Sequence, residues 1–127
     1  MVVEVGESSL RQEFWCGEHW IAPEADLADT DLYGADLLFT DLFGANLSGA
    51  DLQSANLATS DLSGADLFRA DLSGLNGVAA CFICADLHGA DLGLANLMAA
   101  KLDGGCLAEA SALSVGNEQI GIPSVTF

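Results

Sequence analysis

The most regular feature of this chain is a leucine at every fifth position. Seventeen positions spaced five apart, from residue 27 to residue 107, hold fifteen leucines, Gly77 and Phe82. We call each of these positions the centre of a five-residue unit that starts two residues earlier. The first residue of the unit is alanine in twelve of the seventeen units, and the second is aspartate or asparagine in fourteen. Nearly every unit therefore opens with an apolar, a polar and a second apolar residue.

A period of five fits neither regular secondary structure. On an α-helix, five residues rotate the side chain by about 500°, so successive leucines would spread around the helix. On a flat strand, side chains alternate between two faces, so an odd period would place successive leucines on opposite faces. Within one unit, the first residue and the centre lie two apart and point to the same side of a short extended segment. The last two residues must then turn the chain so that the next pair also faces inward.

Glycine supports a turn at the end of the unit. Seven glycines occupy the last place of a unit, and glycine readily adopts the positive φ that a type II turn requires at that place. A chain that bends the same way every five residues forms a coil with an apolar interior. The seven glycines are Gly34, Gly44, Gly49, Gly64, Gly74, Gly89 and Gly104.

With these units, the run from Ala25 to Glu109 resembles the pentapeptide-repeat family. The resemblance implies an all-β fold, a right-handed, four-sided parallel β-helix with four units, or twenty residues, in each coil. Just over four coils at the strand spacing of about 4.8 Å give a rod roughly 20 Å long. Leucine centres would stack in columns inside, with alanines beside them, and each buried leucine contributes about 1.5–3 kcal/mol.

One unit reverses the usual order. Leu75-Asn76-Gly77 places the large residue first and the small residue at the centre. Since both positions face inward, the reversal keeps the interior volume about constant. We therefore expect a local distortion here and no inserted loop.

The ends of the chain depart from the repeat. Residues 1–24 are expected to form an amino-terminal cap over the open edge of the first coil, with a short strand at Val2, Val3 and Val5. Ser9-Leu10-Arg11-Gln12 resembles a capping box and predicts a short helix to about Glu18. Residues 25–109 form the predicted β-helix. Residues 110–127 are predicted to be either a cap or a homodimer contact, because Ile120, Ile122, Val125 and Phe127 make this tail apolar.

The charge of the chain limits its partners. The formal net charge is −16, from 19 acidic residues against Arg11, Arg69 and Lys101. Such a field repels nucleic acid and anionic membranes and attracts basic proteins or cations. No stretch is apolar enough to span a bilayer, and Met1–Gly6 contains no basic residue of the kind that begins a secretory signal. We therefore expect no direct nucleic-acid binding, no membrane segment and a cytoplasmic location.

The second position of each unit points outward in the family geometry, and twenty-residue coils predict columns of these residues. Asp31, Asp51, Asp71 and Asp91 should stack on one face, which is the candidate interaction face. The next face should begin with Asp36 and continue as a ladder of Asn56, Asn76 and Asn96. Either these side chains only accept hydrogen bonds from the turn backbone, as Asp and Asn both can, or the aspartates also provide a negative field for a partner. The two roles are compatible.

Residues that could carry other chemistry give weak signals. Cys81-x-x-Cys84 resembles half of a zinc site, but no second pair follows, so we expect Cys81, Cys84 and Cys106 to be plain thiols and no metal or other cofactor to be bound. His88, near Asp86, is interpreted as an exposed turn residue. Carboxylates on a convex, solvated surface lack the cleft that acid–base catalysis uses. We therefore expect no catalytic residues and a protein that is not an enzyme.

Two functions remain, besides weak cation binding by the aspartate columns, which form no closed coordination shell. The first is an acidic scaffold that presents a flat face to a protein partner of unknown identity. The alternative follows from the resemblance, because some family members mimic DNA, bind DNA gyrase and protect it from quinolones. Those members are longer than this array. A rod of roughly 20 Å spans only about six base pairs of DNA.

Overall fold

A computed structural model of the protein describes the backbone of residues 3–5, 14–16, 19–106, 108 and 110, and side chains from Ile21 onward. Thirteen parallel bridges in residues 26–106 each join two second-position residues that lie twenty apart along the chain, from Asp26 with Asn46 to Asp86 with Cys106. Four units therefore complete one coil, and each unit forms one side. The predicted four-sided β-helix is confirmed.

The coil pairs the backbone N–H groups of a unit almost completely, as the unit from Ala50 to Ser54 shows. The N–H of Ala50 closes the preceding turn, and that of Asp51 donates to the coil before. The N–H groups of Leu52 and Ser54 donate to backbone carbonyls of the following coil, at 2.8 and 3.0 Å. Only the N–H of Gln53 remains, and it donates to the carboxylate of Asp51 at 3.0 Å. Buried backbone groups must be paired, so the ladders and the second-position side chains together maintain the fold.

The interior is a stack of leucines lined by alanines. The centres from Leu27 to Leu97 are buried, with Phe82 taking the same place without disturbing the ladder. Two buried polar residues, Thr40 and Ser60, lie one coil apart at first positions, where their hydroxyls contact each other at 3.1 Å and reach the carbonyl of Leu37 at 2.8 and 2.7 Å. Their hydrogen bonding makes the burial of two hydroxyls acceptable.

Every unit whose last residue is described ends with a positive φ, whether or not that residue is glycine. The seven glycines have φ between 65° and 71°, and ten other residues at the same place have φ between 55° and 61°. Hydrogen bonds from first residue to preceding centre, such as Ala35 to Leu32 at 3.0 Å, close these turns. The glycines thus marked the turn type, but the geometry is imposed on all units by the stacking of the coils. L-residues adopt this conformation at a cost of roughly 1–2 kcal/mol.

This cost predicts opposite effects for one chemical change at two places in the turn. Ala79 is the fifth residue of its unit and has a φ of 58°. Ala58 is the fourth residue of a different unit, and its φ is not positive. We expect Ala79→Gly to stabilise the protein by about 1 kcal/mol and Ala58→Gly to destabilise it by about 0.5–1 kcal/mol. Urea unfolding measures both. Equal signs for the two variants would contradict the turn assignment.

The reversed unit is not distorted, which corrects the expectation from the sequence. Asn76 donates to the coil before at 2.9 Å and Gly77 to the coil after at 2.7 Å, the same lengths as in regular units. Leu75 is buried, and a Cβ added at Gly77 would lie 3.2 Å from Leu75 Cδ2 and 2.8 Å from Leu97 Cδ2. The side chains of Leu75 and Leu97 thus fill the space that a leucine at position 77 would occupy. The predicted absence of a loop is confirmed.

The amino-terminal residues form an antiparallel sheet in the order β1 (Val3–Val5), β2 (Phe14–Cys16) and β3 (His19–Ile21). The predicted valine strand is confirmed at Val3–Val5. The predicted helical cap is wrong at Phe14–Cys16, because aromatic residues favour strands and the two strands on either side pair with β2. Only Gly17 and Glu18 separate β2 from β3, a length typical of hairpins.

Several sequence predictions concern parts of the chain outside the described residues. These are the strand position of Val2, the capping box at residues 9–12 and the apolar tail at residues 111–127. The boundaries at residues 24 and 109 stay predictions, although coil-type hydrogen bonding already includes the N–H of Glu24, which donates to Phe43 at 2.8 Å. In the part of the chain that the structure describes, no helix is long and apolar enough to cross a membrane.

Candidate functional site: the outer faces of the coil

The second-position residues stack into four columns, one on each side of the coil. One column consists of Asp31, Asp51, Asp71 and Asp91, and we call this side the Asp face. The next side carries Asp36, Asn56, Asn76 and Asn96, as the sequence predicted. The other two columns mix residue types. They are Asp26, Asn46, Asp66, Asp86 and Cys106 on one side and Asp41, Asp61, Cys81 and Lys101 on the other.

Every aspartate and asparagine in these columns has a structural role. In all fourteen, a side-chain oxygen accepts a hydrogen bond from the backbone N–H two residues later, at 2.9 to 3.4 Å. This is the donor that the coil ladders leave unpaired. The acceptor role derived from the sequence is therefore present at each of these positions.

The acceptor role does not require charge. Asn56 and Asn76 accept the same backbone hydrogen bond at 3.2 Å that Asp51 and Asp71 accept at 3.0 Å. Asparagine can also bond along the column. The amide of Asn76 donates to Asn56 at 3.2 Å, and the amide of Asn56 donates to Asp36 at 3.3 Å. Aspartates cannot do this when ionised, and successive carboxylates about 4.8 Å apart repel by about 1 kcal/mol at the dielectric of water.

A cluster that the sequence did not reveal lies at one corner of the coil. The rings of Phe68 and His88 stack with centroids 5.3 Å apart and nearly parallel planes. The guanidinium of Arg69 lies 5.2 Å from the Phe68 ring centroid. His88 is half-buried, which corrects its interpretation as an exposed residue, and its backbone N–H donates to the carboxylate of Asp86 at 2.9 Å. Positions 68 and 88 differ by twenty, so the coil length was the signal that could have paired them.

The cysteines do not converge. Cys81 is half-buried, Cys84 and Cys106 are exposed, and all three are free thiols. Cys81 and Cys106 belong to different columns, and Cys84 ends a unit with a φ of 60°. Within the described ranges, no three His, Cys, Asp or Glu side chains are grouped as metal ligands would be.

The comparisons with known proteins agree with this geometry. The family model for pentapeptide repeats (8 copies) matches residues 21–49 and 45–76. A search of curated proteins found no match. Among solved structures, the pentapeptide repeat protein Rfr23 from the cyanobacterium Cyanothece 51142 is 32% identical, with a TM-score of 0.70, over 71% of this chain and 61% of that one.

Two further solved structures show more distant likeness. HetL, a pentapeptide repeat protein involved in heterocyst differentiation regulation from the cyanobacterium Nostoc sp. strain PCC 7120, is 36% identical over 70% of this chain and 45% of its own, with a TM-score of 0.36. QnrB1, a plasmid-mediated fluoroquinolone resistance protein, is 18% identical over 69% of this chain and 48% of its own, with a TM-score of 0.42. The chain thus spans about half to three fifths of the length of these proteins. With its coils of four five-residue units, the chain belongs to the pentapeptide-repeat family, whose members are right-handed quadrilateral β-helices.

Proposed function

We propose that this protein is a non-enzymatic interaction scaffold whose Asp face binds a basic surface of a protein partner. The observation that carries the proposal is the unbroken column of Asp31, Asp51, Asp71 and Asp91. Asparagine satisfies the turn equally well in the neighbouring column, so the hydrogen bond does not explain why this column is acidic throughout. A regular row of carboxylates on a rigid side is complementary to a row of lysines or arginines.

The interior supports a scaffold more than an enzyme. Leucine and alanine fill the described coils, and the carboxylates lie on the outer side of the wall, exposed or half-buried. General acid–base catalysis depends on carboxylates whose pKa is shifted by burial or by close charges in a cleft. Carboxylates on the outside of a rod are better suited to contact a surface.

The test compares two variants of equal net charge. The face variant changes Asp31, Asp51, Asp71 and Asp91 to Asn, and the control variant changes four aspartates of the two mixed columns, Asp41, Asp61, Asp66 and Asp86, to Asn. Native protein and both variants are immobilised, and the proteins retained from an extract of the native host are quantified by mass spectrometry. We expect a basic protein retained by the native chain and by the control variant but lost from the face variant.

Equal retention by the two variants would contradict the proposal, because net charge alone would then explain binding. The retained protein should also be released by salt, since exposed charge pairs are screened within about 8–10 Å at about 0.1 M ionic strength. Thermal unfolding of both variants verifies that they are folded.

The alternative, a DNA mimic acting on DNA gyrase, is supported by the net charge of −16. The described coils, however, extend for a length of only about six base pairs. Inhibition of gyrase supercoiling that weakens in the face variant, but not in the control variant, would favour this alternative.

A further inference from the structure

Among the four sides of the described coil, one has almost no charge. It comprises the side with the asparagine ladder and the turns at both of its edges. We call it the neutral strip, and it consists of positions 33, 34, 36, 38 and 39 and the equivalent positions in the three following coils, twenty residues in all. All twenty are exposed or half-buried. Of the twelve acidic residues between residues 25 and 104, only Asp36 lies on the strip, and neither Arg69 nor Lys101 does.

Most of the exposed large apolar side chains also lie on this strip. Seven such side chains are present among the described residues, and five of them belong to the strip, where Leu94 is 78% and Phe39 is 60% exposed. An apolar surface depleted of charge is the composition of an interface core. The five residues are Tyr33, Leu38, Phe39, Leu94 and Met98.

A second copy of the chain is the occupant that the charges favour. Each molecule carries a net charge of −16, and on every other side at least two aspartates belong to the stacked column. Two copies that met through those sides would bring carboxylates together. The neutral strip is the side on which two copies can pack without that repulsion. Its twenty residues match the 20–30 residues per partner of a standard interface.

The single charge on the strip also selects the orientation. A twofold dimer packed face to face has its rods either parallel or antiparallel. Parallel rods place Asp36 of one copy opposite Asp36 of the other. Antiparallel rods place Asp36 opposite Asn96, whose amide can donate to the carboxylate, and Asn56 opposite Asn76. Antiparallel packing also brings Phe39 at one end against Met98 at the other end of the partner.

We propose that two copies of this chain pair antiparallel through their neutral strips. The pairing leaves both Asp faces outward, so that the dimer displays two identical acidic faces and can bind a repetitive basic partner bivalently. The dimer does not depend on the function proposed above. Its response to salt is opposite, because screening of the net repulsion between two acidic copies strengthens the dimer.

Sedimentation velocity of the full chain tests the proposal, over a range from roughly 1 to 500 µM protein, where interfaces of modest area dissociate. We expect a concentration-dependent dimer that is tighter in about 1 M than in about 0.1 M sodium chloride. Asn96→Asp should weaken the dimer about tenfold or more, since it places two carboxylates opposite each other twice in the dimer. Asn46→Asp, the same change in a mixed column, should have no effect.

Leu38→Ser should weaken the dimer, whereas Phe43→Ser, which alters an equally exposed side chain outside the strip, should not.

Asp36→Asn decides the orientation. Combined with Asn96→Asp, it should restore the dimer, because the antiparallel arrangement places position 36 of one copy opposite position 96 of the other. Failure to restore it would contradict the antiparallel pairing. A monomer at every concentration would overturn the proposal, as would a dimer insensitive to Asn96→Asp and Leu38→Ser, which would indicate a contact elsewhere, for example through the tail.

Discussion

Gly77→Leu should destabilise the protein, and adding Leu75→Ala to that variant should restore most of the lost stability. Gly77→Leu places a new Cβ 3.2 Å from Leu75 Cδ2 and 2.8 Å from Leu97 Cδ2, and overpacking of this kind costs about 1–3 kcal/mol. Leu75→Ala alone leaves a cavity and should cost about 2–5 kcal/mol. The double variant restores the common order, so we expect it to lie within about 1 kcal/mol of the native protein.

Urea unfolding of the four proteins measures this cycle. The losses of the two single variants sum to at least about 3 kcal/mol, so the coupling energy should be at least about 2 kcal/mol, toward the upper end of the range for residues in contact. Leu32→Ala provides the control, since Leu32 is fully buried in the first coil, two coils away from Gly77, and its effect should add to that of Gly77→Leu. Additive effects of the Leu75 and Gly77 changes would contradict the shared space that the structure shows.

Neutralising the Asp face should stabilise the protein while removing its proposed function. The face variant removes three contacts between stacked carboxylates, each worth about 1 kcal/mol at the dielectric of water. The new amides keep the turn hydrogen bond and can bond along the column, as Asn76 does with Asn56 at 3.2 Å. We therefore expect the free energy of unfolding to rise by about 1–3 kcal/mol at low salt.

The gain should shrink in about 1 M sodium chloride, where exposed charges interact only over about 3 Å. Thermal or urea unfolding at two salt concentrations makes the measurement. A loss of stability in the face variant would show that the carboxylates are needed for folding, and the reason for assigning them a binding function would disappear. A gain in stability combined with a loss of binding would show that the column's structural role and its binding role are separate.

The period of five was sufficient to predict the coil, because each unit repeats the same choice of inward and outward residues. The length of twenty residues per coil was implied by the resemblance to the pentapeptide-repeat family, and counting by twenty then predicted the Asp face and the asparagine ladder. What the period could not predict was how side chains of different coils share space. Leu97 lies one coil after Gly77, and this contact explains why the reversed unit keeps regular geometry.

The strand β2 and the neutral strip were not predicted from the sequence, for two different physical reasons. The capping-box pattern at residues 9–12 predicted a helix from local preference, whereas pairing of β2 with β1 and β3 determined the structure of Phe14–Cys16. The neutral strip combines one side with turn positions at both edges, so that its residues are separated by charged ones along the chain. Leu38 and Asp41, for example, are three residues apart but lie on different sides of the corner.

The arrangement of the faces can be measured by nuclear Overhauser effects in the labelled protein. The coil predicts backbone contacts between residues twenty apart throughout residues 26–106, including Asp51 with Asp71 on the Asp face and Asn56 with Asn76 on the neutral strip. Contacts at three and four residues, as in helices, or at a spacing other than twenty would contradict the assignment of the acidic and neutral sides on which both proposals depend.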